Sequence, residues 1–204
     1  MRHAYIAIEG NIGSGKTTMA RLLANHYQAK LVLERFEENP FLAGFYENPE
    51  RYAFSVEMSF LADRYKQLSL ELKDRDLFQP LTIADYAPFK SLLFAQQNLN
   101  EAEFPLYRQF WNLSLGKLPA PNLIIRLLCS QSRLLENIAK RGRSYEQSIP
   151  IDYLQRINLA YEDFFKQRRD LPTLSLDVSD SDFIRHPEQL QPLLEKINTK
   201  LADA

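Results

Sequence analysis

The stretch that most limits what this chain can fold into is YIAIEGNIGSGKTTMARLLANHY, residues 5–27. A short apolar run leads directly into Gly10–Thr17, G-N-I-G-S-G-K-T, which fits the phosphate-cradling pattern G-x-x-x-x-G-K-[ST]. Beyond it, Ala20, Leu23, Ala24 and Tyr27 keep helical spacing. A strand, a glycine loop and a helix in that order form the context in which such a loop holds a nucleotide. The glycines let the backbone wrap so that its N–H groups point at phosphates, and the helix N-terminus adds favourable partial charge. In loops of this kind the lysine, here Lys16, reaches the β- and γ-phosphates, and the hydroxyl of Thr17 binds Mg²⁺. A nucleoside triphosphate is therefore expected on Gly10, Asn11, Ile12, Gly13, Ser14, Gly15, Lys16, Thr17 and Thr18. The loop does not say what the phosphate is used for.

Further apolar runs at 4–9, 30–34, 81–85, 122–128 and 173–178 read as buried strands. Helical patterns separate them, so the chain is expected to be an α/β protein with a mainly parallel sheet. Phe54, Met58, Leu61, Tyr65, Leu68 and Leu72 step by fours and threes, the stripe of a long amphipathic helix that faces either the core or a dimer partner. Residues 117–122 break a helix before the fourth strand, and two further helices are expected from residue 149 onward and at the C-terminus. With 204 residues, one domain spanning 1–204 is the natural expectation. The net charge of −1 gives no basic field to attract nucleic acid or an anionic membrane. No apolar run approaches the length of a membrane span, and the first residues are too short in apolar sequence for a signal peptide. Cys129 is the single cysteine, so no internal disulfide forms, and a reducing, cytoplasmic setting is expected. It reads as a small buried hydrophobe. His3, His26 and His186 are too scattered to ligate a metal together.

The remaining motifs resemble those of the deoxynucleoside kinase family, in order from Ile8 to about Phe183. The resemblance implies a P-loop fold of three layers, α/β/α, around a five-stranded parallel sheet with an Arg-rich lid. It also implies transfer of the ATP γ-phosphoryl group, with Mg²⁺, onto the 5′-hydroxyl of a deoxynucleoside, and a homodimer. Glu34 in LVLERFEENPFL matches the family's base toward that hydroxyl, although on residues alone it is one charge beside Arg35, Glu37 and Glu38. In GFYENPERYAFSVEMSFLADR, Tyr46 matches the residue that bonds the sugar 3′-hydroxyl, Glu57 the base reader and Arg64 an arginine near the 5′-end. Seven residues on a helix place Glu57 and Arg64 on one face, about 10 Å apart. In IAKRGRSYEQ, Arg141 and Arg143 match the lid arginines, and Glu146 matches a glutamate that reaches the 3′-hydroxyl. Asp182 and Phe183 resemble the segment that packs on the donor adenine.

Two positions depart from the family. Its base reader is a glutamine, which donates and accepts, whereas an ionised Glu57 only accepts. Guanine offers two adjacent donors, N1–H and the 2-amino group, so a guanine preference is expected. At the third strand the family has an acid followed by arginine and serine, and here the sequence reads Ala84-Asp85-Tyr86. Asp85 aligns with either the arginine or, with a gap, the acid, and in both cases suits Mg²⁺ or its water. Lys90 either replaces the lost positive charge or is a surface lysine. Alternatives to a nucleoside kinase are a nucleoside monophosphate kinase and a non-catalytic nucleotide-binding module. A guanine-nucleotide switch is disfavoured because no N-K-x-D stretch is present.

Overall fold

The structure, a computed structural model, describes residues 4–36, 39–72 and 80–202. His3, Glu37 and Glu38 lie outside the described residues.

Five strands form one parallel sheet in the order β2-β3-β1-β4-β5. They are β1 (Ala4–Gly10), β2 (Lys30–Val32), β3 (Leu81–Ala84), β4 (Leu123–Leu128) and β5 (Thr173–Asp177). β1 lies at the centre, with Ile6 in register with Ile83 on one side and Leu123 on the other. Its residues alternate between two apolar layers, which is why YIAI is apolar throughout rather than alternating with polar residues. Ile6 and Ile8 pack with Met19 and Leu23 of α1 (Lys16–Tyr27) and with Leu193, Leu194 and Ile197 of the C-terminal helix. Tyr5 and Ala7 face the opposite core, with Leu68, Leu93, Ile157 and Tyr161. The result is the expected three-layer α/β/α arrangement. Among the described residues, no helix is long and apolar enough to cross a membrane.

Among the described residues, seven more α-helices complete the layers: α2 (Leu42–Glu47), α3 (Pro49–Glu71), α4 (Lys90–Asn98), α5 (Glu103–Leu113), α6 (Gln131–Arg141), α7 (Ile151–Gln167) and α8 (Gln191–Ala202). Asn48 starts α3 by accepting a hydrogen bond from the Arg51 N–H, and Pro49 occupies the first turn, where its missing donor costs nothing. Gly142, at φ +71°, ends α6 in the left-handed conformation that its lack of Cβ permits.

Several boundaries differ from the sequence reading. β2 stops at Val32, so Glu34 stands two residues beyond the strand. β3 ends at Ala84, and Asp85 begins the turn. Cys129 is half-buried just after β4, and burial raises its thiol to about 11, away from reactivity. The largest correction concerns α3. Its buried face is Ala53, Val56, Glu57, Leu61, Arg64 and Leu68, whereas Tyr65 is exposed. The apolar stripe holds in part, with Leu61 and Leu68 buried and Met58 and Leu72 packed against the core, while two further inward positions, Glu57 and Arg64, are charged.

Candidate active site

In an open parallel sheet, ligands bind beyond the C-terminal strand ends where neighbouring connections run to opposite sides. The phosphate loop leaves central β1 at that point. At Gly13, φ is +83°, and a Cβ would stand 2.7 Å from the Leu134 carbonyl of α6, so no other residue fits there. Asn11 braces the loop: its Nδ2 donates to the Leu154 carbonyl of α7 at 2.8 Å, while its Oδ1 accepts from the Ile12 N–H. Its contribution to a phosphate would therefore come from the backbone. Lys16 folds over the loop and donates from Nζ to the Gly10 and Asn11 carbonyls at 2.9 and 2.8 Å. Burial, assisted by neighbouring Lys90, lowers its amine to about 8.

The loop opens onto a cleft of about 920 Å³, measured with its mouth. The cleft collects Lys16, Thr17, Glu34, Tyr46, Glu57, Arg64, Asp85, Lys90, Arg141, Arg143 and Glu146, which derive from widely separated segments of the chain. Three clusters organise it.

The first cluster lies against the phosphate loop. Asp85 accepts from the Thr17 hydroxyl at 2.7 Å through Oδ2 and from the Glu34 backbone N–H at 2.7 Å through Oδ1. The two candidate metal ligands thus meet. A hydroxyl beside a carboxylate that burial and Glu34 hold above its usual range forms a hard-oxygen, cation-seeking set that suits Mg²⁺.

The second cluster centres on Glu34. Arg64 donates to its Oε1 from Nε at 2.8 Å and approaches it from the terminal nitrogen at 2.6 Å, while Lys90 meets Oε2 at 2.5 Å. The other terminal nitrogen of Arg64 donates to Ser91 Oγ at 2.7 Å, and the guanidinium lies 4.7 Å from the Phe60 ring centroid and 5.9 Å from that of Tyr86. Burial opposes the Glu34 charge, but the two cations outweigh it and pull the carboxyl down to about 2. Lys90 is buried here and is no surface lysine. A cation five residues beyond Asp85 reaches the carboxylate because the turn after β3 folds back. Buried Glu9 holds that turn, accepting from the Ala87 N–H at 2.6 Å and the Tyr161 hydroxyl at 2.7 Å.

The third cluster comprises Tyr46, Glu146 and the two arginines. Arg141 and Arg143 both pair with Glu146, and the Arg143 guanidinium sits 3.8 Å above the Phe36 ring. The Tyr46 ring stacks on Tyr145, with centroids 6.3 Å apart.

Deeper in the cleft, Glu57 is 2% exposed. Its Oε1 accepts from Asn98 at 2.6 Å, and its Oε2 is buried without a hydrogen-bond partner. Burial, outweighing the pull of Arg64 and Asn98, raises its carboxyl to about 7. Asn98, Phe60, Phe94 and Tyr153, which also line this end, were not singled out by the sequence. Isolated aromatics and an amide at a helix end carry no motif. Asp182 and Phe183 lie apart from these groups, in a second recess with Ser14, Thr18, Arg133, Asn137 and Lys140 on the far side of the loop.

Fold and site together define a nucleotide-dependent phosphotransferase: a phosphate loop, a hydroxyl and carboxylate beside it that could hold a cation, and an adjoining cleft with a further carboxylate. The family described as "Deoxynucleoside kinase" matches residues 6–202, and the chain belongs to it. Deoxyguanosine kinase of Bacillus subtilis (strain 168) is 39% identical over 186 residues, covering 88% of this chain and 89% of that protein. Deoxyadenosine kinase of Dictyostelium discoideum is 31% identical over 194 residues, covering 94% and 78%. Among solved structures, deoxyadenosine kinase from M. mycoides with the products dCMP and a flexible dCDP bound superposes with a TM-score of 0.81. It is 27% identical in sequence, with 96% of this chain and 98% of that one covered. The chain is a deoxynucleoside kinase and hence an ATP-dependent phosphotransferase. Neither the monophosphate kinase nor the non-catalytic alternative is favoured.

Proposed function

We propose that this kinase transfers the γ-phosphoryl group of MgATP to the 5′-hydroxyl of a purine deoxynucleoside, with deoxyguanosine preferred, in nucleotide salvage. The observation that carries the reading is Glu57: a buried carboxylate with one oxygen held and the other unpartnered, at the end of the cleft away from the phosphate loop. An acceptor-only group suits the paired donors of guanine. The 39% identity to a deoxyguanosine kinase supports the same choice.

In this reading the 5′-hydroxyl lies against Glu34. Two cations keep that carboxylate ionised, so it orients the hydroxyl by accepting its hydrogen bond. A loose phosphoryl-transfer transition state demands little base strength, and the proton passes to Glu34 as the new O–P bond forms and the bond to the ADP oxygen breaks. Lys16, Arg141 and Arg143 neutralise the spreading charge, the two arginines leaving Glu146 for the phosphates. Glu146 then turns with Tyr46 to the sugar 3′-hydroxyl. Thr17 and Asp85 would hold Mg²⁺, which supplies charge neutralisation on the donor phosphates. The recess at Asp182 and Phe183 would take the donor adenine.

We further read residues 1–204 as one cytoplasmic domain that acts as a homodimer. Leu106, Phe110 and Leu113 present one apolar face of α5, 45%, 43% and 66% exposed, and a second copy would cover it. The function is tested with a panel of deoxynucleosides and their monophosphates, run on the native enzyme and on Glu34→Gln and Glu57→Gln. Loss of transfer in the first and a shifted base preference in the second are expected. A native preference for deoxyadenosine over deoxyguanosine would refute the guanine assignment.

A further inference from the structure

The Glu57 carboxylate lies in a setting that leaves it one anchor. Arg64 and Lys90 carry the nearest positive charges, but both are committed to Glu34, and Arg64 also to Ser91. Glu34, Tyr107 of α5 and Tyr153 of α7 are the other titratable groups facing it; the Glu34 charge opposes ionisation of Glu57, and burial keeps both phenols protonated. Among the described residues, the hydrogen bond to the carboxylate comes from Asn98, the last residue of α4. Resting on the reading of Glu57 as base reader, we propose that Asn98 is a specificity-determining positioning residue. By holding one carboxylate oxygen, it fixes the carboxylate plane, favours the ionised form, and leaves the second oxygen to accept from a base edge carrying adjacent donors.

The chemistry follows from the two forms of Glu57. Ionised, it presents acceptors only and matches guanine. Protonated, it presents a donor beside an acceptor and matches adenine. A donor on Oε1 stabilises the charged form and so weights the pocket toward guanine. Burial in turn holds the carboxyl near neutrality, at about 7, so the balance sits where a single hydrogen bond can tip it. The base preference should accordingly depend on pH, with deoxyguanosine gaining over deoxyadenosine as pH rises through the neutral range.

The test compares the native enzyme with Asn98→Ala, which removes the donor without adding a charge, and with Asn98→Leu, which fills similar space. The ratio of kcat/KM for deoxyguanosine to that for deoxyadenosine is measured from about pH 6 to about pH 9, alongside Glu57→Gln. A charge-assisted hydrogen bond predicts a loss of roughly tenfold in the ratio for both Asn98 variants, carried mainly by KM for deoxyguanosine. The pH midpoint of the ratio should move upward. An unchanged ratio and midpoint in both variants, with Glu57→Gln altering the ratio, would overturn the role of Asn98 alone. An unchanged ratio in Glu57→Gln would overturn base reading by Glu57 and this inference together. A fall in kcat shared equally by both nucleosides, with the ratio kept, would assign Asn98 a structural role and also overturn it.

Discussion

Glu57→Gln should make the unliganded enzyme more stable in alkaline solution, and the size of the gain can be worked out. Burial raises this carboxyl from its usual 4.5 to about 7. The folded state therefore holds the proton more tightly than the unfolded chain, and stability falls as pH rises from about 4.5 to about 7. At 1.36 kcal/mol for each factor of ten in proton affinity, the native enzyme loses about 3 kcal/mol across that window. A glutamine keeps the shape and can still accept from Asn98 through its amide oxygen, and it has no charge to desolvate. Relative to the native chain, the variant should gain about 3 kcal/mol between about pH 4 and about pH 8, or roughly 6 to 12 °C in Tm for a chain of this length. Paired thermal melts without nucleotide, across that range, measure it directly, because the titration of shared groups remote from Glu57 cancels in the difference. A Tm difference that stays constant with pH would refute the burial argument, as would one that narrows as pH rises.

Glu34 behaves in the opposite sense: its carboxyl sits at about 2, so its stabilising contribution is complete above about 4.5 and is lost only as pH falls toward 2. Glu34→Gln should cut turnover by roughly 10²–10⁴-fold. It should also destabilise the fold by roughly 3–5 kcal/mol, since it strands Arg64 and Lys90 buried without their partner, which denaturant titration would detect. Lys90→Met should lower kcat while Lys90→Arg recovers part of it; equal activity of all three forms would show that the cation at this place is dispensable. Asp85→Asn and Thr17→Val should each raise the Mg²⁺ concentration for half-maximal rate by roughly tenfold or more, read from metal titrations at saturating nucleotide.

What the sequence determined on its own was the nucleotide half of this protein. Gly10–Thr17 lies in one continuous stretch, and its chemistry resides mainly in backbone N–H groups that glycine spacing positions locally, so strand, loop and helix were legible together. The central sheet was legible for a related reason: buried parallel strands must be apolar on both faces, and runs such as YIAI and NLIIRLL announce it. The proposed acceptor half was assembled by tertiary structure. Glu57 and Arg64 face inward on α3, where apolar periodicity argues for other residues, because a charge can be buried when Glu34, Ser91 or Asn98 stands opposite it. No spacing rule reveals that opposition, since the partners lie on other segments. Lys90 illustrates the point most clearly. As sequence it was as consistent with solvent as with catalysis, and only the fold of the turn after β3, held by Glu9 and Tyr161, brings its ammonium to the Glu34 carboxylate. Phosphate binding is a local property of the backbone; recognition of the acceptor depends on side chains that must converge from across the chain, and convergence is what packing decides.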